Sequence, residues 1–122
     1  MDGTDVHVDM LNGYTTRGAW SDDFEDIEKV TTSGGDDTII GNYGNNTITT
    51  NGGDDVVIAV GGDNEINLGS GDDTAVGYGG DDSINGGAGD DELLGYSGND
   101  NIVGGSGEDL IRGGADGDVL VG

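Results

Sequence analysis

The sequence contains no cysteine and no proline, and its 122 residues include a single histidine, a single tryptophan and a single phenylalanine. With no thiol, and with His7 alone, the usual residues for nucleophilic or histidine-based catalysis are missing, and no H-E-x-x-H or G-x-S-x-G stretch occurs. His7 reads as an ordinary strand residue, and the chain reads as a non-enzyme. Basic residues are nearly absent too: Arg17, Lys29 and Arg112 stand against 26 acidic residues, for a net charge of −23. Such a chain repels phosphate polymers and anionic membrane surfaces, so nucleic acid is excluded and cations are the natural partners. No apolar run approaches the ~18 residues of a membrane span. The amino end, Met1-Asp2-Gly3-Thr4-Asp5, lacks the basic region and apolar core of a general export signal. The lack of cysteine fits a protein that leaves a reducing cytoplasm unfolded.

What the chain does have is order. From Thr32 to Val121 a nine-residue frame repeats ten times without insertion or deletion. Its fourth position holds Gly35, Gly44, Gly53, Gly62, Gly71, Gly80, Gly89, Gly98 and Gly107, with Asp116 as the exception. The sixth holds Asp37, Asn46, Asp55, Asn64, Asp73, Asp82, Asp91, Asp100, Asp109 and Asp118. The eighth is aliphatic throughout: Ile39, Ile48, Val57, Ile66, Ala75, Ile84, Leu93, Ile102, Ile111 and Leu120. Glycine, aspartate and asparagine tolerate left-handed backbone and form turns, so each frame reads as a turn followed by a short strand of three residues ending around the aliphatic position.

The pattern resembles the glycine-aspartate nonapeptide of the RTX (repeats-in-toxin) family, G-G-x-G-x-D-x-U-x with U a large aliphatic residue. The best frame runs Gly86-Gly87-Ala88-Gly89-Asp90-Asp91-Glu92-Leu93-Leu94. Early frames are looser, since Thr32-Ser33 and Thr50-Asn51 replace the opening glycine pair. The resemblance implies an all-β, parallel β-roll solenoid of two sheets, five strands each, with two nonapeptides per coil and calcium between the turns of successive coils. It implies as metal-site residues Asp37, Asp55, Asp73, Asp91 and Asp109 in one row and Asp82, Asp100 and Asp118 in the other. The turn glycines Gly35, Gly53, Gly71, Gly89, Gly107, Gly80 and Gly98 stand beside them. Asn46 and Asn64 offer neutral oxygens where aspartate offers charged ones, so about six or seven Ca2+ ions are expected out of eight gaps, with an asparagine ladder in place of the ion between Asn46 and Asn64.

Physical chemistry points the same way. In a stacked roll the aspartates lie roughly one strand spacing, ~4.8 Å, apart, where two like charges repel by ~3.5 kcal/mol at an effective dielectric near 20. Bound cations reverse that sign. Low hydrophobicity combined with high charge also marks a chain that does not fold unaided. Calcium suits flexible oxygen cages better than magnesium, which demands a tight octahedron and keeps its waters.

Residues 1–31 lack the period and read as an N-terminal β cap on the roll of residues 32–122. A strand is expected over residues 6–11, then a loop to Trp20, then a lead-in from Phe24 to Val30; Met10, Leu11, Trp20 and Phe24 are expected to close the upper end of the core. Ile40, Ile58, Val76 and Leu94 form an apolar row on one outer face, a candidate protein contact. The chain stops at Val121-Gly122, within a frame of the last repeat, and reads as a fragment of a longer protein. Type I secretion, an extracellular or cell-surface location and a scaffold role beside an effector domain are what the resemblance implies. The rival function is a polysaccharide- or surface-binding module, at which Tyr43, Tyr78 and Tyr96 hint. An ice-binding roll is disfavoured because no threonine occupies the third position of any frame.

Overall fold

The computed structural model describes residues 5–11, 14–15 and 29–122. Among them are strands only: β1 (His7–Asp9), β2 (Tyr14–Thr15), β3 (Lys29–Thr31), β4 (Thr38–Ile40), β5 (Thr47–Gly52), β6 (Val56–Ile58), β7 (Glu65–Ser70), β8 (Thr74–Gly79), β9 (Ser83–Ala88), β10 (Glu92–Ser97), β11 (Asn101–Ser106), β12 (Leu110–Ala115) and β13 (Val119–Val121). Alternate strands separate into two sheets, β12-β10-β8-β6-β4-β1-β2 and β13-β11-β9-β7-β5-β3. Strands within each sheet are parallel except for β2, and from β3 onward each is offset from its neighbour by two frames, as in Leu93 beside Ala75 and Ile111. The fold is the expected two-sheet parallel roll.

Inside, the eighth-position column is fully enclosed from Ile39 to Ile102. Ile111 is half-buried and Leu120, in the last frame, is 47% exposed. Each buried Ile, Leu or Val contributes about 1.5–3 kcal/mol by leaving water. A second inward column was not foreseen. First-position residues Thr50, Ala59 and Leu68 are wholly buried, and Gly77, Gly86, Gly95, Gly104 and Gly113 follow them below. The interior therefore tapers from aliphatic side chains above to bare backbone below.

The expected sheets of five strands and strands of three residues need correction. Most strands run six residues, on through the first three positions of the next frame. They do so because the first position also points inward, while the second sits at positive φ without ending the ladder at Asn51 (76°), Tyr78 (73°) and Tyr96 (79°); at Val60 (79°) the strand has already stopped, at Ile58. The sheets have seven and six strands because the leader contributes to both. β1 pairs in parallel with β4, Val8 beside Ile39, and Met10 donates its N–H to the Ile40 carbonyl at 2.8 Å. Met10 is thereby buried in the first-position column, whereas Leu11 is exposed at 42%. β2 runs antiparallel on β1 and covers its edge. β3 opens the other sheet with Val30 in phase. Trp20 and Phe24 lie outside the described residues.

Candidate metal centres

The turns follow from the glycines. Gly35, Gly53, Gly71, Gly89 and Gly107 on one side of the roll all have positive φ between 108° and 133°. A β-carbon on Gly71 would overlap the carbonyl oxygen of Gly53 in the coil above, and the same holds for Gly89 over Gly71 and Gly107 over Gly89. The absence of side chains lets these carbonyls stack along the axis. Asp116, the non-glycine of the column, adopts the same left-handed conformation at φ 82°, which aspartate tolerates better than most residues.

The sixth-position carboxylates bind backward along the axis. Asp55 Oδ1 accepts the backbone N–H of Asp37 at 2.8 Å, Asp73 that of Asp55 at 2.8 Å, Asp91 that of Asp73 at 2.9 Å and Asp109 that of Asp91 at 3.1 Å. On the other side Asp82, Asp100 and Asp118 accept from Asn64, Asp82 and Asp100 at 2.9, 2.9 and 3.0 Å. The fifth position, to which the sequence pattern assigned no role, does the reverse. Asp54 Oδ1 accepts the N–H of Asp72, Asp72 that of Asp90 and Asp90 that of Glu108, at 2.8–2.9 Å. Adjacent acidic residues thus hold the coil above and the coil below. A regular acceptor column at the fifth position, Asp36, Asn45, Asp54, Asp63, Asp72, Asp81, Asp90 and Asn99, is the signal that carries this role.

One oxygen of each sixth-position carboxylate remains over. Oδ2 of Asp37, Asp55, Asp73, Asp82, Asp91 and Asp100 is buried and has no hydrogen-bond partner. Burial lifts the carboxyls of Asp73 and Asp82 to about 6, with the charges of stacked neighbours adding to the rise and backbone N–H donors opposing it. Asp55, Asp91 and Asp100 are shifted upward for the same first reason. An orphaned buried carboxylate oxygen is costly unless a cation or proton completes it. Among the described residues no three acidic side chains converge on a point. The other oxygens of any cation site therefore come from groups other than carboxylates, and the stacked turn carbonyls fit that need.

The first glycine of the frame has a separate reason. β-Carbons on Gly77, Gly86, Gly95, Gly104 and Gly113 would overlap Oδ2 of Asp82, Asp91, Asp100, Asp109 and Asp118 in their own frames. Glycine leaves the room into which the carboxylate turns.

The asparagines behave differently. The N–H of Asn46 donates to Asn64 Oδ1 at 2.8 Å. Nδ2 of Asn64 donates to the Gly62 carbonyl at 2.8 Å and to Asp82 Oδ1 at 2.9 Å. The amide group thus engages the Gly62 carbonyl and Asp82 Oδ1, while Asp82 Oδ2 stays without a partner.

Residues 31–66, 58–93, 67–102 and 94–122 each match the RTX calcium-binding nonapeptide repeat. The chain belongs to the RTX repeat family. Neither the curated proteins nor the solved structures give a match. In this RTX roll the structure brings the eight sequence-predicted aspartates into two rows, one per side, with Asp109 and Asp118 less deeply buried than the rest. The turn glycines Gly35, Gly53, Gly71, Gly89, Gly107, Gly80 and Gly98 stand two residues before their aspartates, in the turns. The RTX repeats make the roll a calcium-binding structural module rather than a catalytic fold. No helix long and apolar enough to cross a membrane occurs among the described residues.

Proposed function

We propose that this RTX roll is a calcium-operated scaffold, largely unfolded where calcium is scarce and set rigid where it is plentiful, as outside the cell. The observation that carries the reading is the row of buried, partnerless Oδ2 atoms on Asp37, Asp55, Asp73, Asp82, Asp91 and Asp100. Without a counter-ion these carboxylates oppose folding, and with one they join coil to coil. We assign as ligands Asp37, Asp55, Asp73, Asp91 and Asp109 on one side and Asp82, Asp100 and Asp118 on the other, together with carbonyl oxygens of the glycine turns. About six or seven ions complete the set. The amide bonds of Asn64 support an ion-free gap beside Asn46 and a weak one beside Asp82. As a secreted or surface-displayed module the roll would carry a neighbouring domain, with the half-buried row Ile40, Ile58, Val76 and Leu94 as its contact face.

A far-ultraviolet circular dichroism titration tests this. The expected result is a disordered spectrum in chelator and a cooperative gain of β structure over roughly 0.1–1 mM calcium, with magnesium much less effective. A strong β spectrum in excess chelator, unchanged by calcium, contradicts it.

A further inference from the structure

The second position of the even frames reads Asn42, Val60, Tyr78, Tyr96 and Gly114 down one edge of the larger sheet. Tyr78 and Tyr96 stack face to face, with ring centroids 5.2 Å apart and planes 9° apart. Both are about half-exposed, and both hold the left-handed backbone that glycine takes at the same frame position in Gly69, Gly87 and Gly105. Two bulky residues therefore sit where the frames around them use Gly69, Gly87, Gly105 and Gly114, at a conformational cost, with their rings half-exposed. Strain of this kind gathers at ligand sites.

The stack stops abruptly. Gly114 lies beside Tyr96 in the next strand, so the tyrosine column does not continue past Tyr96. The space left there is an open groove of about 170 Å³ lined by Leu94, Tyr96, Arg112, Gly113 and Gly114. Its walls are mostly apolar, with one charged group, Arg112, the single basic residue of the ten frames. A flat aromatic face, an apolar floor and one convergent donor group make up the usual composition of a small-molecule site.

We propose that this groove binds a neutral sugar ring of a polysaccharide. The apolar C–H face of a pyranose stacks on Tyr96 as the next member of the tyrosine column, and its hydroxyl oxygens accept from the fork of Arg112 N–H donors. An aromatic side chain of a protein would fill the stack but leave those donors without acceptors. A uronate or phosphate polymer would meet the guanidinium but must approach a chain of net charge −23. The neutral sugar satisfies all three constraints. The inference rests on the folded roll and not on the assignment of individual calcium ligands.

The test uses the full chain in saturating calcium, with circular dichroism reporting the fold and the tyrosine ring resonances reporting the groove. Neutral hexasaccharides of glucose, mannose and galactose are titrated beside a hexauronate. At least one neutral hexasaccharide is expected to bind in the millimolar range and shift the Tyr96 ring signals. Tyr96→Gly is expected to weaken binding on the order of tenfold while leaving the calcium midpoint in place, since glycine holds this backbone conformation elsewhere in the roll. Tyr96→Asn serves as a second variant, because Asn51 adopts the same conformation at φ 76°, and Arg112→Gln is expected to weaken binding without unfolding. Several outcomes overturn the proposal: no neutral sugar bound by the β-rich, calcium-loaded chain; a hexauronate bound more tightly than any neutral sugar; affinity unchanged by both Tyr96 variants; or ring shifts that track protein concentration alone, which would assign the groove to a second copy of the chain.

Discussion

At the residue scale the frame divides its labour among neighbours. A sixth-position carboxylate uses one oxygen on a backbone N–H and keeps the other buried, so its worth depends on what completes that second oxygen. Asp91→Ala is expected to raise the calcium concentration needed for half-folding, whereas Glu92→Ala, whose residue is exposed on the adjoining strand, should move it little; equal shifts in the two titrations would remove the sixth position from the ligand set. Gly86→Ala should act like Asp91→Ala without touching a charge, because the added carbon meets Asp91 Oδ2. Acidity gives a separate handle. The folded-state carboxyls of Asp73 and Asp82 lie near 6, above the ordinary 3.8, so the metal-free roll holds more protons than the unfolded chain and gains stability as pH falls through that window. In calcium the sign reverses, since protons compete with the ion. Circular dichroism at pH 7 and pH 5 should show opposite responses in calcium-free and calcium-saturated buffer. The aspartate column was legible in the sequence because one residue type recurs at one spacing. The fifth-position column was not, because its role is a bond to backbone two frames away, visible only once the coils are stacked.

At the scale of the strand, frames after the one that Leu68 opens contribute one inward side chain each, and those up to it contribute two, apart from the frame of Gly41. Leu68→Ala is expected to cost about 2–5 kcal/mol by opening a cavity in the enclosed upper core, measured as a lower denaturation midpoint in saturating calcium. Asp72→Ala removes an acceptor that joins one coil to the next and should cost about 1 kcal/mol. The family resemblance supplied the two sheets and their parallel order, and the period of the pattern placed the eighth-position core. It misjudged strand length, because glycine at the first position looks like a turn residue while here it is an inward strand residue beside a carboxylate. It also set the leader apart as a cap. Asp5 accepts the N–H of Asp36 at 3.0 Å, and Asp37 accepts that of Val6 at 2.7 Å. Asp5, Val6 and Val8 thus repeat the fifth, sixth and eighth positions, but 31 residues upstream of their partners rather than 18, and an interval that breaks the period hides the likeness.

At the scale of the molecule each joint between coils is built alike, so a whole coil is expected to be removable. Deleting Leu68–Asn85 leaves every remaining frame on its own sheet and should yield a roll that still folds cooperatively with calcium, holds fewer ions by native mass spectrometry and melts lower. An aggregated or calcium-blind product would show that the coils are not interchangeable. Interchangeability carries its own hazard. A chain whose frames are nearly equal can pair a strand with the wrong partner, loop out one frame, and keep an aliphatic residue at every core position. Such mistakes are cheap to make and slow to undo. Each coil therefore needs an address, and the irregularities supply it: Asn46 and Asn64 label one side of the roll, Leu68 labels the middle, and β1, with Asp5 and Val6 just before it in reciprocal bonds to Asp36 and Asp37, fixes from the first strand which frames are odd and which are even.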